Sequence, residues 1–323
     1  MKILVTGGLG LIGHNVVRRL ENLGHEITIV DVQTDYGIIP RDELFYLLSE
    51  RQKKIKTREI YHLDISHKDA IDNLMKRNQI DTVVHLASFP RQKVVNVNPQ
   101  LGSRTMSEGL LNLLELGVKH KINKFVYISS SMVYGDFSDQ VREDAECRPQ
   151  GQYGIMKLAG EWLVKDYTRK SGMAHTIIRP SAVYGPLDVN DRVISKFLLA
   201  AMRGDVLNVN GANETLDFTY VEDAADGIVS AALLDVANNR TYNITKSHSK
   251  TLLEAAELSV HIAGKGSINV RGRDLDFPSR GALNIDAARR DLGYNPQVDM
   301  EEGFEIYHQW LSESEYWQQQ LKK

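Results

Sequence analysis

Short runs of β-branched and aromatic residues alternate along this chain with longer stretches in which apolar residues recur every three or four positions. KILVT (2–6), EITIVD (26–31), REIYHLD (58–64), DTVVHLA (81–87) and KFVYISS (124–130) read as strands, with the near-continuous apolar content of strands covered on both faces. Between them, HNVVRRLENLG from His14 and SEGLLNLLELG from Ser107 carry helical spacing. Strand and helix therefore take turns in the rhythm of parallel βαβ units, which predicts a doubly wound sheet of the α/β class. A helix over about 153–170 and a strand within AHTIIRPSAVYG from Ala174 continue the pattern, and helices near 195–203 and 252–263 follow as the alternation loosens.

The segment Thr6-Gly7-Gly8-Leu9-Gly10-Leu11-Ile12-Gly13 falls between the first strand and the first helix. There a pyrophosphate would meet backbone N–H groups at a helix N-terminus, and Gly7, Gly10 and Gly13 would permit the close approach that side chains block, with Leu11 and Ile12 supplying amides. Asp31 ends the second strand, where a carboxylate can accept both adenosine ribose hydroxyls and repel a 2'-phosphate, so NAD is expected rather than NADP. Asp64 and Ile65, after the third strand, are placed to meet the adenine, and Leu86, Ala87 and Ser88 would line the cofactor's path. The expected organisation is a Rossmann-type NAD-binding domain over 1–175, with return segments near 176–185 and 216–245. A smaller α/β C-terminal lobe over 186–323 is interleaved with it, because no Pro-, Gly- or Ser-rich linker divides the two. The connection from Val32 to Thr57 is long for a loop and contains RDELFYLLSERQKK, which reads as an extra helix. It is either a surface embellishment or a flap over the cofactor or a partner surface.

Composition narrows the class. The net charge of -3, from 39 basic and 42 acidic residues, leaves no electrostatic footprint for nucleic acid or an anionic membrane. Cys147 is the only cysteine, so an intrachain disulfide is impossible and a reducing compartment is the natural setting. No signal peptide or membrane-length apolar run is present in the sequence. These features predict a cytoplasmic protein with a small-molecule substrate and no metal.

Tyr153-Gly-Ile-Met-Lys157 opens a predicted helix, and a spacing of four puts phenol and ammonium on one face. A nearby cation favours the phenolate, so a tyrosine lowered toward working pH could take a proton from a hydroxyl. The run Ser129-Ser130-Ser131 ends the fifth strand, and carboxyl ends of strands in an open parallel sheet face the ligand crevice. Ser130 could therefore hydrogen-bond the oxygen that loses its proton to Tyr153. The parts make a secondary-alcohol dehydrogenase.

TGGLGLIG, VVHLAS, SSSMVYG, YGIMK, IIRPSAVYGP and DFTYVEDAA together closely resemble the extended short-chain dehydrogenase/reductase family, in its sugar-nucleotide epimerase and dehydratase branch, over nearly the whole chain. The resemblance implies Ser130 and Tyr153 as catalytic groups, Lys157 holding the nicotinamide ribose, and a tightly held NAD reduced and reoxidised in one turnover. It also implies a homodimer through a four-helix bundle built from 101–120 and 153–170. Members that dehydrate at C5 and C6 carry an Asp-Glu pair where this chain has Ser131 and Met132, and related decarboxylases have glutamate at the Met132 position. Methionine cannot transfer a proton, so epimerisation at C4 of a nucleotide sugar is expected. Dehydration, reduction or oxidation at C4 remain the alternatives.

Three positions depart from the family pattern: Leu216 replaces a pyrophosphate-binding arginine, and Met106 and Ala182 replace asparagines. Arg192, Lys196 and Arg280 then become the expected cations for the substrate phosphates, beside Ser131 and Met132. A non-catalytic dinucleotide-binding regulator is the main rival, but such a protein typically lacks the tyrosine or the lysine. A dehydrogenase of steroids or flavonoids would need a more apolar lobe than NVNGANETLDF (208–218) provides.

Overall fold

The computed structural model describes residues 1–322. The central parallel sheet has seven strands. Six are β1 (Lys2–Thr6), β2 (Glu26–Asp31), β3 (Ile60–His62), β4 (Thr82–His85), β5 (Lys124–Ile128) and β6 (Ala174–Pro180). The seventh, Arg240–Ile244, returns from much later in the chain to pair with β6, and the spatial order is that strand, then β6-β5-β4-β1-β2-β3. The order reverses between β1 and β4, which opens a crevice beyond the carboxyl ends of the strands, where open α/β sheets bind ligands.

Helices cover both faces, which explains why the strand sequences are apolar throughout. On one face, Val16, Val17 and Leu20 of the helix α1 (Leu11–Asn22) join Ala225, Ile228 and Ala232 of Val221–Leu233 against Ile3, Val5 and Ile29. On the other, Ile71, Leu74, Leu113 and Val164 pack on Leu4, Val83 and Phe125. A third core gathers Phe197, Leu198, Phe304, Tyr307 and Trp317 from helices Val193–Arg203, Met300–Glu313 and Glu315–Leu321.

Two local readings need correction. β3 spans only 60–62, against the expected 58–64, because it is an edge strand paired with β2 alone; beyond it Asp64 turns back to accept the Ser66 amide at 2.8 Å. The helix from Ser107 begins as a π-turn, Arg104–Gly109, before the regular stretch Leu110–Lys119. Gly109 lies against Ile65 so closely that a Cβ would come within 2.5 Å of it.

The extra helix is real, α2 (Arg41–Lys53), and it is no surface embellishment. Leu47 is fully buried, Glu43 and Arg51 are buried, and Tyr46 stacks on Tyr316 with ring centres 4.6 Å apart. α2 thus joins the sheet's ligand end to the C-terminal helices.

Candidate active site

The glycine-rich turn is shaped by exclusion. A Cβ on Gly13 would sit 2.1 Å from the Gly7 carbonyl oxygen, and one on Gly7, at φ +71, 2.7 Å from the Ala87 amide. Gly10 is the N-cap of α1 and offers no side-chain acceptor to the amides that follow. The first-turn N–H groups of Leu11, Ile12 and Gly13 have no acceptor within the helix, which suits an anion. Asp31 is aimed at this turn and accepts the amides of Leu9 (2.9 Å) and Gln33 (2.8 Å). Burial raises its pKa, and those two amides oppose the rise.

The turn opens into one cavity of about 1540 Å³, larger than the roughly 300–1,000 Å³ of a single drug-sized ligand site. Its walls include Asp31, Asp64, Ile65, Leu86, Ala87 and Ser88 on one side, and Ser130, Ser131, Met132, Tyr153 and Lys157 deeper in. Arg192, Lys196 and Arg280 line it as well. Every residue singled out from the sequence as a site candidate therefore borders one space.

Ser130, Tyr153 and Lys157 meet at its floor. Ser130 caps a short turn after β5, accepting the Met132 amide at 3.2 Å, and its hydroxyl acts on the Tyr153 phenol so as to lower its pKa. Tyr153 lies in the first turn of the helix Gly151–Ser171, where its amide donates to Gln92 Oε1 at 3.2 Å. Lys157, one turn on, donates to the Ile128 carbonyl at 2.7 Å, with Nζ 5.8 Å from the centre of the Tyr153 ring. Burial pushes the Lys157 amine down to about 7, opposed by the Glu161 carboxylate.

The expected lowering of the tyrosine is not what this arrangement produces. Burial raises the Tyr153 pKa, and the opposing influences are the Ser130 hydrogen bond and Arg192. Lys157 is turned toward a carbonyl and is itself destabilised as a cation, so desolvation wins over ion pairing.

Behind the triad is a buried ion pair. Arg179 donates to both oxygens of Glu161, Nε at 2.9 Å and Nη2 at 2.7 Å, with side chains 3% and 1% exposed. Ser129 donates to Glu161 at 2.6 Å and Arg179 Nη1 to the Tyr134 hydroxyl at 2.8 Å.

The expected phosphate cations differ in availability. Lys196 is paired with Asp191, and Arg192 lies 3.7 Å from Asp188. Arg280 is in no ion pair among the described residues, although the Glu214 carboxylate acts on it at longer range: its Nε is buried without a hydrogen-bond partner, and Nη1 lies 3.7 Å from the Met132 sulfur. Desolvation lowers it to about 10. A further cation was not anticipated from the sequence, Arg91, which holds the Asp191 carboxylate and its backbone carbonyl. The only sequence signal for it is its place in FPRQK, directly after the VVHLAS run. Leu216, where the family arginine is missing, is buried and still lines the cavity. Replacing Arg280 with methionine is expected to raise KM for the substrate about 10- to 100-fold, the loss of a charge-assisted hydrogen bond, with kcat changed far less; steady-state kinetics would show it.

A glycine cradle that tolerates no side chain, a carboxylate behind it and a Ser-Tyr-Lys cluster in one crevice suit a dinucleotide-dependent enzyme. Residues 3–245 match the NAD dependent epimerase/dehydratase family. The chain belongs to that family, and its cofactor is NAD. It is 29% identical to the dTDP-glucose 4,6-dehydratase of Escherichia coli, over 98% of this chain and 96% of that one. It is also 29% identical to UDP-glucuronic acid decarboxylase 1 of Xenopus tropicalis, over 94% and 70%. Among solved structures, the UDP-glucuronic acid 4-epimerase from Bacillus cereus, in complex with UDP-glucuronic acid and NAD, superposes with a TM-score of 0.88 at 28% identity, covering 96% of this chain and 98% of that one. The relatives thus span three reactions on sugar nucleotides. No helix among the described residues is long and apolar enough to cross a membrane.

Proposed function

We propose that the protein inverts C4 of a nucleotide-activated sugar through a transient 4-keto sugar. The observation that carries this reading is the Ser130-Tyr153-Lys157 cluster flanked by Ser131 and Met132, whose side chains supply no carboxyl group for elimination. Ser131 instead donates to Ser181 at 3.2 Å. NAD, when bound, supplies the oxidising and then the reducing equivalent. Gly7, Gly10 and Gly13 with the amides of Leu11 and Ile12 would hold its pyrophosphate, Asp31 its adenosine ribose, and Lys157 its nicotinamide ribose.

The protein's own part is proton handling and positioning. Tyr153 takes the C4 hydroxyl proton in the phenolate form that the positive nicotinamide of bound NAD would favour against burial, while Ser130 hydrogen-bonds the same oxygen. The flat keto sugar turns over, and Tyr153 gives the proton back. Arg280, Arg192 and Arg91 face the phosphates, substituting for the arginine that Leu216 displaces. Incubation with UDP-, GDP-, CDP- and dTDP-hexoses in deuterated water, followed by NMR, tests this. Inversion at C4 with no solvent deuterium in the sugar is the expected outcome. Deuterium at C5, or loss of the C6 oxygen, would replace this reading with elimination.

The proposed cellular setting is the cytoplasm and the proposed role is carbohydrate synthesis. The proposed oligomer is a homodimer through Gly151–Ser171 and the helices before it: Trp162 is 65% exposed and Ile155 53%, and Leu101 and Val97 on the preceding helices are exposed as well. Large apolar side chains left exposed together mark interaction surfaces. Trp162→Glu is expected to convert a dimer to monomers in light scattering; an unchanged mass would remove that interface.

A further inference from the structure

α2 contributes two buried charges that the chemistry above does not use. Arg51, in its last turn, is 6% exposed, yet its hydrogen bonds go to carbonyls rather than carboxylates. Nη1 donates to Leu9 O at 2.9 Å and Nη2 to Leu187 O at 2.6 Å. Removing a guanidinium from water is costly, and the two carbonyls together with the nearby carboxylates of Asp188, Asp31 and Glu43 repay only part of that cost, since burial still lowers its pKa. What the arrangement achieves is geometric: one planar fork ties together two chain segments 178 positions apart.

Each segment faces a different part of the cavity. Leu9 belongs to the glycine-rich turn, and its amide is held from the other side by Asp31. Leu187 sits at φ +69, a left-handed backbone that leucine adopts only when its surroundings impose it. The next residues are gripped by α2 again, since Glu43 accepts the Asn190 amide at 2.8 Å. The same stretch then delivers Asp191 and Arg192, which meet Arg91, Lys196 and Asp188 on the cavity wall.

We infer that Arg51 is a positioning residue that couples NAD binding at the glycine-rich turn to the geometry of residues 187–192. Fixing the turn fixes the Leu9 carbonyl, which fixes one prong of the fork; the other prong then holds Leu187 and the charged groups beyond it. The coupling is independent of whether the sugar is epimerised or dehydrated. It is also reciprocal: whatever orders 187–192 strengthens retention of NAD. A lysine could reach only one of the two carbonyls, so charge alone does not reproduce the role.

Hydrogen–deuterium exchange with and without saturating NAD tests the coupling on the whole protein. In the wild type, NAD is expected to slow exchange at both 7–13 and 187–192. In Arg51→Met, slowing at 7–13 persists while slowing at 187–192 is lost, and the NAD dissociation constant rises about tenfold. Arg51→Lys keeps the charge and gives partial slowing at 187–192. A residue with a merely structural role would lower the melting temperature of the variant and leave the response of 187–192 to NAD intact, and that result would overturn the inference. Should Arg51→Met fail to fold, Arg51→Lys carries the comparison: a weakened response at 187–192 supports coupling and a full response overturns it. No protection at 7–13 in the wild type would overturn the NAD site itself, and the coupling with it.

Discussion

Tyr153→Phe is expected to lower turnover about 1,000-fold, within the range that a positioned proton-transfer group contributes, while leaving the fold and bound NAD unchanged. The ring keeps its apolar contacts with the cluster of Phe89, Val94, Val95 and Met106, so only the hydroxyl on which Ser130 acts is lost. Activity within tenfold of wild type would remove Tyr153 as the base. Ser130→Ala adds a test with a definite sign. The Ser130 hydrogen bond lowers the Tyr153 pKa against the larger effect of burial; removing it raises that pKa further. The acid limb of the pH–rate profile should therefore move to higher pH, and a limb that stays in place would separate Ser130 from the titrating group.

Glu161→Ala is expected to cost about 3–5 kcal/mol of stability, the usual penalty for leaving one member of a buried pair uncompensated. Arg179 would lose both its charge-assisted bonds inside a core where it is 3% exposed, and the Ser129 hydroxyl would lose its acceptor. Urea unfolding would measure the loss, and a change below about 1 kcal/mol, the value of an exposed pair, would contradict the buried assignment. The same substitution reaches the site, because the Glu161 carboxylate holds up the Lys157 pKa against burial. Lys157 then loses its proton below the present value of about 7. The linkage for Lys157 runs opposite to that of a paired group. Its folded-state pKa lies below the ordinary 10.5, so between about 7 and 10.5 the unfolded chain binds more protons, and the lysine's contribution to stability improves as pH rises through that window.

Features contained within one stretch of sequence were legible in advance. The order of strands and helices follows from apolar runs and spacing, and the glycine turn, the serine run and Tyr153–Lys157 are each local patterns whose meeting place follows from parallel-sheet geometry. The extra helix was legible as a helix, but its placement was not, because Arg51–Leu187 and Tyr46–Tyr316 join segments far apart in the chain. Arg91 was missed for the same reason: its partner Asp191 is 100 positions away. The direction of the Tyr153 shift was misread because spacing reveals which charges are near but not how much water has been removed. β3 was overextended because a strand paired on one side only can end where its chemistry still looks strand-like.

The contact between Met132 and Arg280 constrains how the reaction itself could change. A carboxylate placed at 132 would arrive within reach of a guanidinium that forms no ion pair among the described residues and feels only Glu214 at longer range. It would be captured as an ion pair and would neutralise a cation proposed for the substrate phosphates, while the acid that must protonate the leaving C6 oxygen would still be missing at Ser131. Met132→Glu alone should thus yield a poorer catalyst of the original reaction rather than a new one. The methionine at 132 thus keeps the Arg280 guanidinium free of a neighbouring carboxylate as much as it withholds a proton-transfer group.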